Sequence, residues 1–271
     1  MNDNCIALLI PLLFSLQHIL VRIGSEKSET LNGIYASLLV STLMFSPSLL
    51  NPTLNQEFLL YMTLAGVLQF FLARICLYYA ISRIGANLSA PLSSTRILLA
   101  TIIGLFVGEL LNFWIIIGSV LIFTGIFLLS KVKGEPDWIG ISLAILTGLF
   151  ACLSSYFIRF GNAIEYNPFF AVFIGFAIST ALLTPFMIGK SLKNTKPFVE
   201  GGALGGLAHM VRYIVLKDTP VTVIEPITSS HPLFTLVLTA IFLRRLEVFS
   251  RRSILGTISI MTGIYVLLLL K

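Results

Sequence analysis

Long apolar runs follow one another along almost the whole chain, separated by short polar breaks. A membrane helix needs about 20 largely apolar residues to cross about 30 Å of hydrocarbon. Ten runs have the required length: 5–22, 32–50, 58–81, 85–108, 112–130, 138–158, 168–189, 199–216, 220–243 and 253–270. They are continuous and lack the period-two alternation of a membrane barrel. The pattern therefore predicts an all-α polytopic membrane protein with ten transmembrane helices. The longest connection, around Lys190 to Phe198, is about ten residues and leaves no room for a soluble domain. The leader Met1-Asn2-Asp3-Asn4 carries no Lys or Arg, and no small-x-small site follows the first run. That run is read as a membrane helix and not as a signal peptide.

Composition agrees with the pattern. Apolar residues make up 56% of the chain and charged residues only 11%, against roughly 25% charged in a soluble domain. The excess of 18 basic over 12 acidic residues is a topology signal. The loops after spans one, three, five, seven and nine carry twelve Lys and Arg, among them Arg22, Arg83, Lys131, Lys133, Lys193 and Arg244, against Arg159, Lys217 and Lys271 opposite. The positive-inside rule puts the twelve in the cytoplasm and both termini outside, as expected in a prokaryotic plasma membrane. Nucleic acid is not an expected partner; the bilayer and a small-molecule substrate are, with a homodimer left open. Cys5, Cys76 and Cys152 are scattered through apolar runs, so neither a disulfide framework nor a metal site is expected, and no cofactor.

The two halves superimpose. Residues 71–96 laid on 206–231 pair Arg74 with His209, Tyr78 with Tyr213, Pro91 with Pro226, Ser94 with Ser229 and Arg96 with His231, at a shift of 135. Further on the shift is 138, and Glu109, Gly118 and Gly125 match Glu247, Gly256 and Gly263. The repeats are read as 1–133 and 134–271. Five spans in each is an odd number, so the second copy is expected to run inverted through the membrane, a plan that recurs in secondary transporters.

With these features the chain resembles the drug/metabolite transporter superfamily, specifically its ten-helix EamA-type permeases. The resemblance rests on Leu105-Phe106-Val107-Gly108-Glu109, Gly118 and Gly125 in the first repeat, and on His231-Pro232-Leu233-Phe234, Phe242-Leu243, Gly256 and Gly263 in the second. It departs from the family pattern where Arg244-Arg245 follow Phe242-Leu243, with Glu247 two residues on, and in lacking a Trp-Gly pair in the first span. The resemblance implies transport of a small molecule.

Ionisable groups inside a membrane cost at least about 2.5–3.5 kcal/mol on insertion scales and are functional candidates by default. Arg96 and His231 each fall halfway along a span and are expected near the midplane. Arg74 and His209 lie nearer opposite faces, as two gates would. Snorkelling to the headgroups is the rival reading for Arg74 and Arg212. Pro91, Pro226 and Pro232 are expected to kink the fourth and ninth spans. Ser93, Ser94, Ser229 and Ser230 beside them are candidates to line a polar site, or else to bond their own helices. Glu225 is the single acid well inside a span; it either neutralises Arg212 or another arginine, or takes up protons. An excess of buried positive charge favours an anionic or zwitterionic metabolite, because Arg grips carboxylate and phosphate in bidentate fashion. Glycine pairs such as Gly201 with Gly205, Gly202 with Gly206 and Gly104 with Gly108 are read as helix-packing positions. No residue is assigned to catalysis. A lipid-linked flippase shares the architecture and is the alternative; an intramembrane enzyme is weaker, since no His-Glu-x-x-His or paired Asp occurs in the spans.

Overall fold

The computed structural model describes residues 9–97, 113–130, 136–219, 221–247 and 249–268. Among them the chain is helical, with no strand. The helices are α1 (Leu9–Ser25), α2 (Thr30–Phe45, continued as a 3-10 turn over Ser46–Leu50), α3 (Gln56–Ile84), α4 (Ala86–Ser93), α5 (Phe113–Ser130), α6 (Trp138–Ile164), α7 (Pro168–Leu183), α8 (Lys196–Val215), α9 (Val221–Thr228), α10 (His231–Phe242) and α11 (Arg251–Leu268). The segments 30–50, 56–84, 138–164 and 168–187 are by themselves long and apolar enough to cross a membrane. Expectations for Cys5, Gly104, Gly108, Glu109, Lys131, Lys133 and Lys271 fall outside the described residues.

Local chemistry sets the helix ends. Asn55 accepts from the N–H groups of Glu57 and Phe58 at 3.0 and 3.2 Å. Asp137 accepts from the Gly140 N–H at 2.9 Å, and Asn167 from the Phe170 N–H at 3.3 Å. Each meets the orphan N–H groups of a first helical turn. Large apolar side chains such as Phe123, Val237, Ile241 and Phe242 point outward and are exposed, while polar side chains gather inside. That distribution suits a bundle whose solvent is lipid.

Three departures from ideal helices shape the interior. α3 widens into a π-helical stretch over Val67–Ala73. α4 ends at Ser93, with a turn at Ser94 and Thr95. The ninth span is not one helix: it breaks at Ser229–Ser230, between α9 and α10. The shift of 135 carries the first of these breaks onto the second. Pro91 lies inside α4, three residues before its break. Pro226 lies on α9 at the matching place, and its side chain is outside the described residues. Pro232 differs from the expected kink. It occupies the first turn of α10, where its missing N–H costs no hydrogen bond.

The glycines pack helices as expected. A Cβ on Gly202 would lie 2.6 Å from the Ser37 carbonyl oxygen, and one on Gly205 would lie 2.5 Å from the Gln17 side chain, so α8 closes on α2 and α1. α5 and α11 meet through the glycines that match between the repeats. A Cβ on Gly125 would lie 2.6 Å from the Gly256 oxygen, and one on Gly263 the same distance from the Gly118 oxygen. Between them the Ser259 hydroxyl donates to the Leu121 carbonyl at 2.7 Å. At a shift of 138, Leu121 and Ser259 are each other's repeat mates.

Candidate functional site

The buried charges converge. Glu225, on α9, sits between two guanidiniums: Arg212 Nη2 at 2.7 Å and Arg96 Nε at 3.1 Å. Arg212 is fully buried. It also donates from Nη1 to Gln69 Oε1 at 2.7 Å and from Nη2 to the Ala151 carbonyl at 2.9 Å. Ser155 bonds both Arg212 and Glu225. The π-helical stretch places Gln69 in this network; such insertions recur at functional sites because they re-aim one side chain. Burial removes the snorkelling reading for Arg74 and Arg212, whose side chains stay inside the protein.

The two helix breaks face each other. Ser94 Oγ lies 3.2 Å from His231 Nδ1, and Arg96 Nε donates to Ser229 Oγ at 2.9 Å. Ser94 and Ser229 are repeat mates, and so are Arg96 and His231. Each break therefore offers its serine to the basic residue of the other. The neighbouring serines behave differently. Ser93 donates to the Ala90 carbonyl at 2.9 Å and Ser230 to the Ile227 carbonyl at 2.7 Å, each within its own helix.

Beside this contact is a cavity of about 50 Å³, lined in part by Gln17, His18, Arg74, Arg96, His209 and His231. A volume of that size holds only a few water molecules. Arg74 and His209 do not stand apart as two gates. Both reach the same aromatic pair: Arg74 lies 5.9 and 5.0 Å from the Phe70 and Phe176 rings, and His209 lies 4.8 and 6.3 Å from them. Arg74 Nη1 donates to Ser37 Oγ at 3.2 Å, and its Nη2 is buried without a hydrogen-bond partner among the described residues. His18 stacks edge-on against His231 at 4.9 Å. Thus Arg74, Arg96, His209 and His231 meet in one place, with Ser93 on the lining. Ser94 and Ser229 stand behind it, while Ser230 serves its own backbone. The sequence reading missed Gln69, Ser155 and Ser37; a polar residue inside an apolar run was the available signal for each.

A second constellation was not foreseen. At the end of the bundle that carries the loops after spans one, three, seven and nine, Glu247 is buried against the start of α4. Its carboxylate accepts from the Ala86 and Asn87 N–H groups at 2.8 and 3.1 Å and pairs with Arg22 Nε at 3.1 Å. An anion at a helix N-terminus meets orphan donors and the positive end of the helix dipole. Gly85 makes room for it. Its φ is +88°, and a Cβ there would lie 2.5 Å from Glu247 Oε2. The latch ties α1, α4 and the α10–α11 connection together.

Comparison with known proteins covers nearly the whole chain. The model of the EamA-like transporter family matches twice, over residues 3–131 and 138–269. The fold is similar to a solved protein crystal structure at 16% identity and a TM-score of 0.69, over 99% of this chain and 96% of that one. No curated protein matches the sequence.

Proposed function

The chain belongs to the EamA-like transporter family, and from that premise we propose that it is a secondary transporter that moves a small polar metabolite, anionic or zwitterionic, by alternating access. Its two copies of the family unit are read as inverted five-helix repeats that rock about a midplane site. The observation that carries this reading is the cavity beside the two facing helix breaks, lined in part by Arg74, Arg96, His209 and His231. Discontinuous helices around a midplane site are a recurrent transporter plan. The lining comes from side chains deep inside the bundle, which favours a metabolite over a lipid-linked substrate. The Arg22–Glu247 latch closes the end to which the basic loops belong. With that end cytoplasmic by the positive-inside rule, the latch is the cytoplasmic gate and both termini are outside.

Proteoliposome counterflow tests the reading. A thermal-stability screen of metabolite anions, zwitterions and cations selects ligands, and each is loaded and exchanged against its labelled form. Arg96→Ala and His231→Ala are expected to abolish exchange. Undiminished exchange in both would sink the site, and stabilisation by cations alone would sink the substrate class.

A further inference from the structure

Resting on that transporter reading, we infer that the substrate is a small dianion, a dicarboxylate or a phosphate monoester, held between Arg74 and Arg96.

The first ground is charge. Among the described residues the buried centre holds three guanidiniums, Arg74, Arg96 and Arg212, and one carboxylate, Glu225. With the histidines counted as neutral, two positive charges are unmatched. Ions buried in low dielectric need partners of opposite sign, and a ligand of charge −2 supplies them.

The second ground is geometry. The unmatched charge is not spread through the core but lines the cavity, where Arg74 and Arg96 both appear. Arg74 has no carboxylate within ion-pair distance among the described residues, and its buried Nη2 has no hydrogen-bond partner. Among the described residues Arg96 spends only Nε, on Glu225 and Ser229, which leaves its terminal nitrogens to a ligand. The Phe70, Tyr78 and Phe176 rings hold the Arg74 guanidinium at 5.9, 5.9 and 5.0 Å. They fix its position without neutralising it.

The third ground separates a dianion from a zwitterion. An ammonium group would need an acid, and among the described residues no carboxylate lines the cavity. Glu225 is already engaged with two guanidiniums: Oε1 accepts from Arg212 and Ser155, and Oε2 lies 3.1 Å from Arg96 Nε without accepting a hydrogen bond. A zwitterion would bring a cation to a site already in excess of them. The cavity must widen to admit such a ligand, as the opening of the latch would allow.

The test holds ligand shape constant and varies its charge. Affinities of the purified protein in nanodiscs, in chloride-free buffer, are measured for succinate, succinamate, succinamide and 4-aminobutyrate. Glycerol phosphate and its methyl ester form a parallel arm that tells phosphate from carboxylate. A dianion is expected to bind at least about tenfold more tightly than its monoanionic isostere, as one lost charge-assisted contact implies. Arg74→Gln is expected to erase that preference. Arg74→Lys, which keeps the charge, is expected to retain the preference with weaker binding, and it decides the matter if the glutamine variant does not fold. Equal binding of dianion and monoanion, preference for 4-aminobutyrate, no binding by any probe, or an unchanged preference in Arg74→Gln overturns the inference. Failure of a bound ligand to exchange in counterflow would instead count against the transporter reading.

Discussion

Ser94 Oγ and His231 Nδ1 lie 3.2 Å apart, and their repeat mates Ser229 and Arg96 make the corresponding contact at 2.9 Å. A contact from i to j' accompanied by one from j to i' is the signature of a two-fold relation between like units. Here the units are the two halves of one chain, and the relation passes between their broken helices.

Ser229 therefore matters more than Ser230. Ser229→Ala leaves the Arg96 Nε with one partner fewer, a loss of about 1–3 kcal/mol for a hydrogen bond to a buried charge. Ser230→Ala removes only a bond within its own helix and is expected to change stability by a few tenths of a kcal/mol. Chemical denaturation in detergent, read by tryptophan fluorescence, distinguishes the two. Equal effects would contradict the assignment.

Glu225→Gln is expected to destabilise the protein by about 3–5 kcal/mol, because two buried guanidiniums lose their shared counter-charge. Arg212→Gln alone should cost a similar amount. The double variant should be more stable than the sum of the single changes predicts, with a coupling of about 0.5–3 kcal/mol. A double-mutant cycle on melting free energies measures it, and additivity would mean that the pair is not coupled.

Opening the latch should bias the protein toward cytoplasmic access. Glu247→Gln weakens both the Arg22 pair and the cap on α4, and Gly85→Ala pushes the carboxylate away from a backbone that only glycine adopts readily. Leu77 lies on the cavity lining, and each change is expected to raise thiol-reagent labelling of a Leu77→Cys reporter from the cytoplasmic side by about 5–150-fold, the range of 1–3 kcal/mol of coupling. Labelling that stays at the parent rate in both would remove the gate role.

Asp137 gives a pH dependence outside the membrane. Slight burial pushes its carboxyl up, but the Gly140 and Ile139 N–H groups and the Arg83 guanidinium outweigh that and hold it below its ordinary value. A lowered carboxylate contributes stability that is present above its unfolded pKa and lost as pH falls through the folded one. Acid melting of the parent should thus show a loss below about pH 4 that Asp137→Asn does not show. With both partners partly exposed the effect is small, about 1 kcal/mol or less.

The residues show why some of this was legible in the sequence and some was not. Spans follow from apolar run length, and the repeat follows from Pro, Ser and basic residues recurring at a fixed shift. Arg74, Arg96 and Arg212 stand out because charge is rare in lipid. What each one touches depends on helix rotation and contacts between distant helices. Gln69 lies 143 positions from Arg212, and no local pattern predicts that meeting. Arg22 and Glu247 were hidden for another reason: in a loop a charge reads as a topology marker, and only the fold shows it turned inward onto α4. Ser229 and Ser230 end a helix inside an apolar run of ordinary length, so run length alone concealed the break.

The Ser259–Leu121 bond has a further meaning for a protein with two alternate states. If the states interconvert by exchanging the conformations of the two repeats, each contact is replaced by the one between the mates of its partners. The close approach of a residue to its own mate maps onto itself and is common to both states, although the Ser259 hydroxyl bond, which Leu121 cannot return, is not. The paired bonds Ser94–His231 and Arg96–Ser229 merely trade places. The Glu247 latch has no such invariance, because it joins no residue to its own mate: Glu247 meets Arg22, Ala86 and Asn87. Under the proposed cycle the glycine seam of α5 and α11 would be a bearing that stays unchanged, and the latch a part that must let go.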